Sequence, residues 1–241
     1  MNYLERLSGD IRRDAPHPTR GFANALAAGV SIAVIAEVKR SSPSEGEIRP
    51  DADVVATAKR YEEGGASCVS ILCAERDFGG SLADLTTGRE AISIPALAKE
   101  FTVFPEQVAE QRLAGADAVL VILAMLTDME ARRLLDTAAL LHMDAVVEAH
   151  DAREVERALQ LEAGVIGVNA RDLSTLQIDR DRQLELLRSL PESVVRVAES
   201  GIGDRAAVVE ARDAGADAVL VGTALMRDPA LLPSLTSVPR G

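Results

Sequence analysis

The chain has 241 residues, 47% of them hydrophobic but only 2% aromatic, with no Trp. That length is close to one α/β barrel, and a core limited to Val, Ile, Leu and Ala suits parallel strands covered on both faces. With 26 Lys and Arg against 38 Asp and Glu, the net charge of −12 argues against nucleic acid or an anionic membrane as a partner, because phosphate backbones need basic stripes. A small anionic substrate is compatible, since a pocket needs only local positive charge.

In chain order, residues 1–31 read as an N-terminal extension. Short helices are expected over Tyr3–Arg13 and Phe22–Ala28, with a loop at Ala15–Pro18 between them. No signal peptide, membrane span or lipidation motif is legible, and a cytoplasmic chain, monomeric or a weak homo-oligomer, is expected. The first strand is predicted over Ile32–Lys39 and a helix over Val54–Glu63. Cys68 and Cys73 follow, five apart. Within one strand that odd spacing turns them to opposite faces, so they are expected as two separate thiols.

A strand over Ile94–Phe101 and a helix over Pro105–Leu113 come next. The phrase Ala-Gly-Ala-Asp-Ala-Val-Leu-Val then appears at Ala114 and again at Ala214. Related copies start at Gly64 and Glu162. With Gly65, Gly115, Gly164 and Gly215 as markers, the steps are 50, 49 and 51 residues. Each marker glycine suits the left-handed end of a helix, after which an apolar strand begins. Strands over Asp144–His150 and Val194–Ser200 fill the intervals. Eight strands alternating with helices predict a parallel sheet closed as a (β/α)8 TIM barrel, one domain over 1–241 with the barrel at 32–241. An open doubly wound sheet is the alternative, but its Gly-x-Gly-x-x-Gly fingerprint is absent.

Chemistry in such a barrel belongs at the C-terminal ends of the strands. The predicted strands end in Glu37 and Lys39, Lys99, Glu148, Asn169 followed by Arg171, Glu199, and Gly222. One terminal charge is ordinarily a solvated or paired surface group. Two lysines, three glutamates and an asparagine at equivalent places on five strands predict a converging acid–base cup. Ser200-Gly201 and Gly222-Thr223 follow the last two strands, where backbone N–H groups commonly cradle a phosphate in this fold. His17, His142 and His150 do not cluster; His150 could line the mouth, in a supporting role. No metal-ligand spacing is present and no cofactor is expected.

Five segments together resemble the indole-3-glycerol phosphate synthase family. They are Ile35-Ala-Glu-Val-Lys-Arg-Ser-Ser-Pro-Ser44, Ala98-Lys-Glu-Phe101, Val147-Glu-Ala-His-Asp151, Ile166-Gly-Val-Asn-Ala-Arg-Asp-Leu173 and Ala198-Glu-Ser-Gly-Ile202. The resemblance implies decarboxylating and dehydrating ring closure of 1-(2-carboxyphenylamino)-1-deoxyribulose 5-phosphate, a step of tryptophan biosynthesis. It implies Lys99 as general acid on the ketone, Glu148 as the opposing carboxylate, Glu37 and Lys39 in dehydration, and Asn169 beside the reacting atoms. Arg171 would face the substrate carboxylate and Glu199 the sugar hydroxyls. Phe101 and Leu120 would pack the aryl ring, and Ser42, Ser200, Gly201, Gly222 and Thr223 would hold phosphate. Ala98, Phe104 and Glu106, and the end of the second strand at Leu72-Cys73-Ala74-Glu75, depart from the family pattern. A drifted paralogue binding a related sugar phosphate, or another phosphate-binding barrel such as a phosphoribosyl isomerase, are the alternatives; an isomerase would present a Cys/Asp or Asp/Asp pair instead.

Overall fold

Side chains along a strand point alternately to opposite faces, and here that alternation separates two cores. Ala33, Ile35, Cys68, Leu97, Leu120, Val146, Val165, Val197 and Leu220 fill one. Val34, Ala36, Val38, Val69, Cys73, Val119, Val147, Ile166 and Val219 belong to the other. The first is the inside of a barrel and the second is the layer between the barrel and its helices. Cys68 and Cys73 fall in different cores, both as free buried thiols.

The computed structural model describes residues 10, 11, 14, 15 and 17–241. Apart from Asp10 and Ile11, the helix expected over Tyr3–Arg13 lies outside the described residues, as does Pro16. The strands are β1 (Ala33–Val38), β2 (Ser41–Ser42), β3 (Gly46–Glu47), β4 (Cys68–Leu72), β5 (Ala96–Lys99), β6 (Ala118–Ile122), β7 (Asp144–Ala149), β8 (Val165–Asn169), β9 (Val195–Glu199) and β10 (Ala218–Val221). β2 and β3 form a small antiparallel hairpin after β1. The other eight pair in parallel in the order β1-β10-β9-β8-β7-β6-β5-β4, and β4 returns to β1 through Ile35↔Cys68 and Glu37↔Ser70. This closure rules out the doubly wound sheet. β5 starts two residues later than the expected Ile94–Phe101, because Pro95 has no N–H to give to a ladder, and it ends at Lys99.

The helices Val54–Glu63 and Pro105–Leu113 have the expected bounds. Aspartates cap four of the helices: the side chains of Asp53, Asp151, Asp179 and Asp204 each accept a backbone N–H from the first turn, satisfying a donor that the helix leaves open. At the opposite ends, Gly65, Gly115 and Gly215 have φ of 87°, 97° and 96°. The marker Gly164 does not. In that copy the left-handed residue is Glu162, at φ 55°, and Ala163 N–H closes onto Ala158 as Ala66 N–H closes onto Tyr61. Glu162 is therefore the counterpart of Gly65, two residues before the expected marker. His142, at φ 59°, ends the helix Asp128–Leu140 in the same way.

The extension's helix, Phe22–Ala27, covers the N-terminal end of the barrel. Phe22 and Leu26 are fully buried in the inner core. One end is thus sealed by apolar side chains, and the strand C-termini open at the other.

Candidate active site

Parity and strand direction together place the polar residues. Glu37, Lys99, Glu148, Asn169 and Glu199 continue the inward rows begun by Ile35, Leu97, Val146, Val165 and Val197. Each row turns polar where the barrel opens. The resulting cavity has a volume of about 720 Å³. Its lining includes Glu37, Lys39, Ser42, Lys99, Phe101, Leu120, Glu148, Asn169, Arg171, Glu199, Ser200, Gly201, Gly222 and Thr223, each a site residue expected from the sequence.

At the centre, Lys99 Nζ donates to Glu148 Oε2 at 3.1 Å and to Glu199 Oε2 at 3.2 Å. Lys99 keeps 15% side-chain exposure, whereas both carboxylates are buried. Burial alone lowers an ammonium's pKa, but Glu148, Glu199 and Glu37 outweigh it and hold Lys99 protonated, above the usual lysine range. Burial raises both glutamates. For Glu148, Lys99, His150 and Asn169 overcome that penalty and keep it ionised, well below the usual carboxylate range. For Glu199, burial and the neighbouring Glu148 prevail over Lys99, and its pKa is pushed up to about 7. Two carboxylates on one ammonium are thus pushed in opposite directions, the arrangement that acid–base chemistry at neutral pH uses.

Glycines make room for this cluster. A Cβ on Gly167 would lie 2.0 Å from Glu199 Oε1, and one on Gly222 would lie 2.4 Å from Glu37 Oε1. Lys39 Nζ pairs with Glu37 Oε1 at 2.9 Å and lies 3.1 Å from that same Gly222 Cβ position. Ser200 and Gly201 both have positive φ, 65° and 72°. Thr223 opens the short helix Thr223–Arg227, with Gly222 at its cap. The hairpin β2–β3 brings Ser42 into the cavity lining.

The surroundings of individual side chains are as follows. Glu199, expected on the sugar hydroxyls, has one oxygen engaged by Lys99, and its Oε1 is buried without a hydrogen-bond partner. Phe101 is not deep in the wall; it lies at the rim, 40% exposed, its ring 6.0 Å from that of Phe78. The Arg171 guanidinium donates to Leu176 O within its own loop. His150 does not line the cavity. It lies behind Glu148, with Nε2 3.2 Å from Glu148 Oε1 and Nδ1 3.0 Å from Glu154 Oε2. Leu72, Phe78, Ile122, Leu173 and Ile202 also line the cavity, and sequence reasoning missed them. Leu72 and Ile122 could have been found by strand parity; the others lie on loops without a period.

Fold and cup define a (β/α)8-barrel enzyme with an acid–base centre at the strand C-termini. The model of the indole-3-glycerol phosphate synthase family matches residues 3–236, and the chain belongs to that family. A Mycolicibacterium vanbaalenii protein named indole-3-glycerol phosphate synthase is 49% identical over 212 residues, 88% of this chain and 77% of that protein. A protein of the same name from Koribacter versatilis is 44% identical over 218 residues, 90% of this chain and 84% of its own. Among solved structures, an N-acetylmannosamine-6-phosphate 2-epimerase from Clostridium perfringens superposes with a TM-score of 0.65 at 13% identity, covering 90% of this chain and 95% of its own. A thiamine phosphate pyrophosphorylase from Pyrococcus furiosus gives 0.62 at 14%, covering 85% and 93%. These two likenesses are of fold. No helix among the described residues is long and apolar enough to cross a membrane.

Proposed function

We propose that this chain closes an indole ring, converting 1-(2-carboxyphenylamino)-1-deoxyribulose 5-phosphate to indole-3-glycerol phosphate with release of carbon dioxide and water, within tryptophan biosynthesis. The observation that carries this reading is Lys99 held between Glu148 and Glu199 at the floor of a cup with an aromatic rim.

The ring carbon bearing the carboxylate attacks the ketone. The ketone oxygen gathers negative charge, and Lys99 stabilises it and gives it a proton. An ammonium this strongly held is a weak acid, but a developing alkoxide is a strong base, and proton transfer to it discharges the oxygen where it forms. Carbon dioxide then leaves, and its bonding electrons restore the aromatic ring. The new hydroxyl departs as water after taking a second proton, and the adjacent carbon releases one. Glu148, Glu37 and Lys39 serve these later transfers, and Asn169 steadies the reacting region. Counted from the carboxylate, each turnover consumes one proton.

Phosphate is held by Ser42, Ser200, Gly201, Gly222 and Thr223, where the backbone approaches an anion closely. Arg171 faces the substrate carboxylate, and Phe101 and Leu120 flank the aryl ring. Holding both ends of a flexible substrate brings ring and ketone into contact, a large part of the rate enhancement available to such a reaction. The test is direct: incubate the protein with the carboxyphenylamino substrate and follow indole fluorescence. Turnover is expected. Bound phosphate ligands with no indole formed would favour a drifted paralogue instead.

A further inference from the structure

Glu148 is gripped from both sides, and only one grip belongs to the cup. Lys99 reaches Oε2 from the cavity. His150 reaches Oε1 from behind the wall, outside the cavity lining. That contact is ionic rather than an aligned hydrogen bond, since Nε2 has no hydrogen-bond partner by angle. The ring's other nitrogen is anchored: Glu154 Oε2 accepts from His150 Nδ1 at 3.0 Å and from His150 N–H at 2.8 Å. Glu154 is itself fixed at the start of the helix Ala152–Gln160, where its N–H donates to Asp151 Oδ1. It opens on a separate outer groove, lined also by Asp128, Asp151 and Arg157.

We propose that His150, tethered by Glu154, is a positioning residue for the reaction: by placing a second cation on Oε1 of Glu148 it orients that carboxylate against Lys99 and favours its charged form, a hold that Glu199 lacks. This rests on the function proposed above. Glu148 and Glu199 are otherwise alike. Both are buried, both end inward strand rows and both meet the same ammonium at nearly the same distance. What separates them is the second cation. A carboxylate on each ring nitrogen favours imidazolium. Burial alone lowers His150, but Glu148 and Glu154 outweigh it and raise its pKa to about 9. Glu199 has no equivalent partner on its free oxygen. The charged groups facing this unit are Lys99 from β5, Glu199 from β9, and Glu154 and Asp151 from the helix and its cap. Asn169 from β8, a neutral group, also favours the charged form of Glu148.

Two measurements test this. The chain has three histidines, so a ¹⁵N-histidine NMR titration of the unliganded protein resolves His150 without any assay of turnover. Wild-type His150 should hold its second proton to about pH 9. Its midpoint should fall by about one unit or more in Glu148→Gln and in Glu154→Gln, each of which removes one facing charge. In the second measurement, His150→Asn should move the acid limb of the kcat/KM–pH profile upward by about one to three units. The rate loss should then be largest at low pH and narrow as pH rises, whereas a merely structural defect lowers the whole profile evenly. If the His150 midpoint is the same in wild type and Glu148→Gln, or if His150→Asn is folded and active with an unmoved acid limb, the inference is overturned. If His150→Asn does not fold, the titration in Glu154→Gln decides. Should the wild type not turn over the substrate, the functional reading falls, and the NMR coupling alone decides this one.

Discussion

Lys99 separates two buried carboxylates, Glu148 and Glu199, that would otherwise repel each other. Replacing it removes the acid without emptying the core, because the glutamates can neutralise by sharing a proton. For Lys99→Ala we expect kcat to fall about 10²–10⁴-fold, the range of a lost general acid, with an unchanged far-UV circular dichroism spectrum. Near-full kcat would refute the acid assignment. The phosphate loops should behave differently. Binding to a phosphate that does not react is equal in ground and transition states, so its loss raises KM and spares kcat. For Thr223→Ala, removal of one hydrogen bond to a charged group should raise KM about tenfold or more; a pure loss of kcat would contradict the site. These residues were legible in the sequence because strand parity and strand ends could both be counted. Their pairings were not. Lys99 meets partners 49 and 100 residues away, and only the barrel's register brings them together.

At the scale of elements, the strand–helix alternation was readable from period and punctuation, including the bounds of Val54–Glu63 and Pro105–Leu113. The misplaced marker at Gly164 shows where such reading stops. A helix can end on a left-handed Glu or His when surrounding contacts hold it there, as Glu162 and His142 do, and neither residue type announces that conformation. Caps link elements to the site. Asp151 closes the first turn of Ala152–Gln160 and thereby positions Glu154 behind His150. Asp151→Ala should cost about 1 kcal/mol, the usual value of a lost cap. That would be seen as a drop in Tm of about 2–4 °C for a domain of this size. An unchanged Tm would mean that water replaces the cap fully.

For the whole molecule, stability and chemistry occupy opposite ends of the barrel. At the closed end, Arg89 meets Asp117 at 2.7 Å with both side chains buried. Asp117 also accepts the backbone N–H groups of Arg20 and Ala96. Arg89 Nη2 donates to Pro18 O, and Arg112 Nη2 to His17 O, so the segment before Phe22–Ala27 is tied to the base of the sheet. Removing one partner of a buried pair strands the other charge, at a cost of about 3–5 kcal/mol. Arg89→Ala should therefore lower Tm by about 6–20 °C in a thermal melt while leaving KM near the wild-type value. A large change in KM with little change in Tm would place Arg89 in the wrong role.

The sequence by itself determined the order of strands and helices, the inward row to which each polar residue belongs, and the end of the barrel at which those rows turn polar. These are local properties, set by alternation along a strand and by the direction the chain runs. Tertiary structure alone decided that Lys99 lies between Glu148 and Glu199, that Gly167 and Gly222 leave the space two carboxylates occupy, and that His150 backs Glu148 instead of facing the cavity. Each of these depends on distances between strands far apart in the chain, which exist only once the sheet has closed on itself.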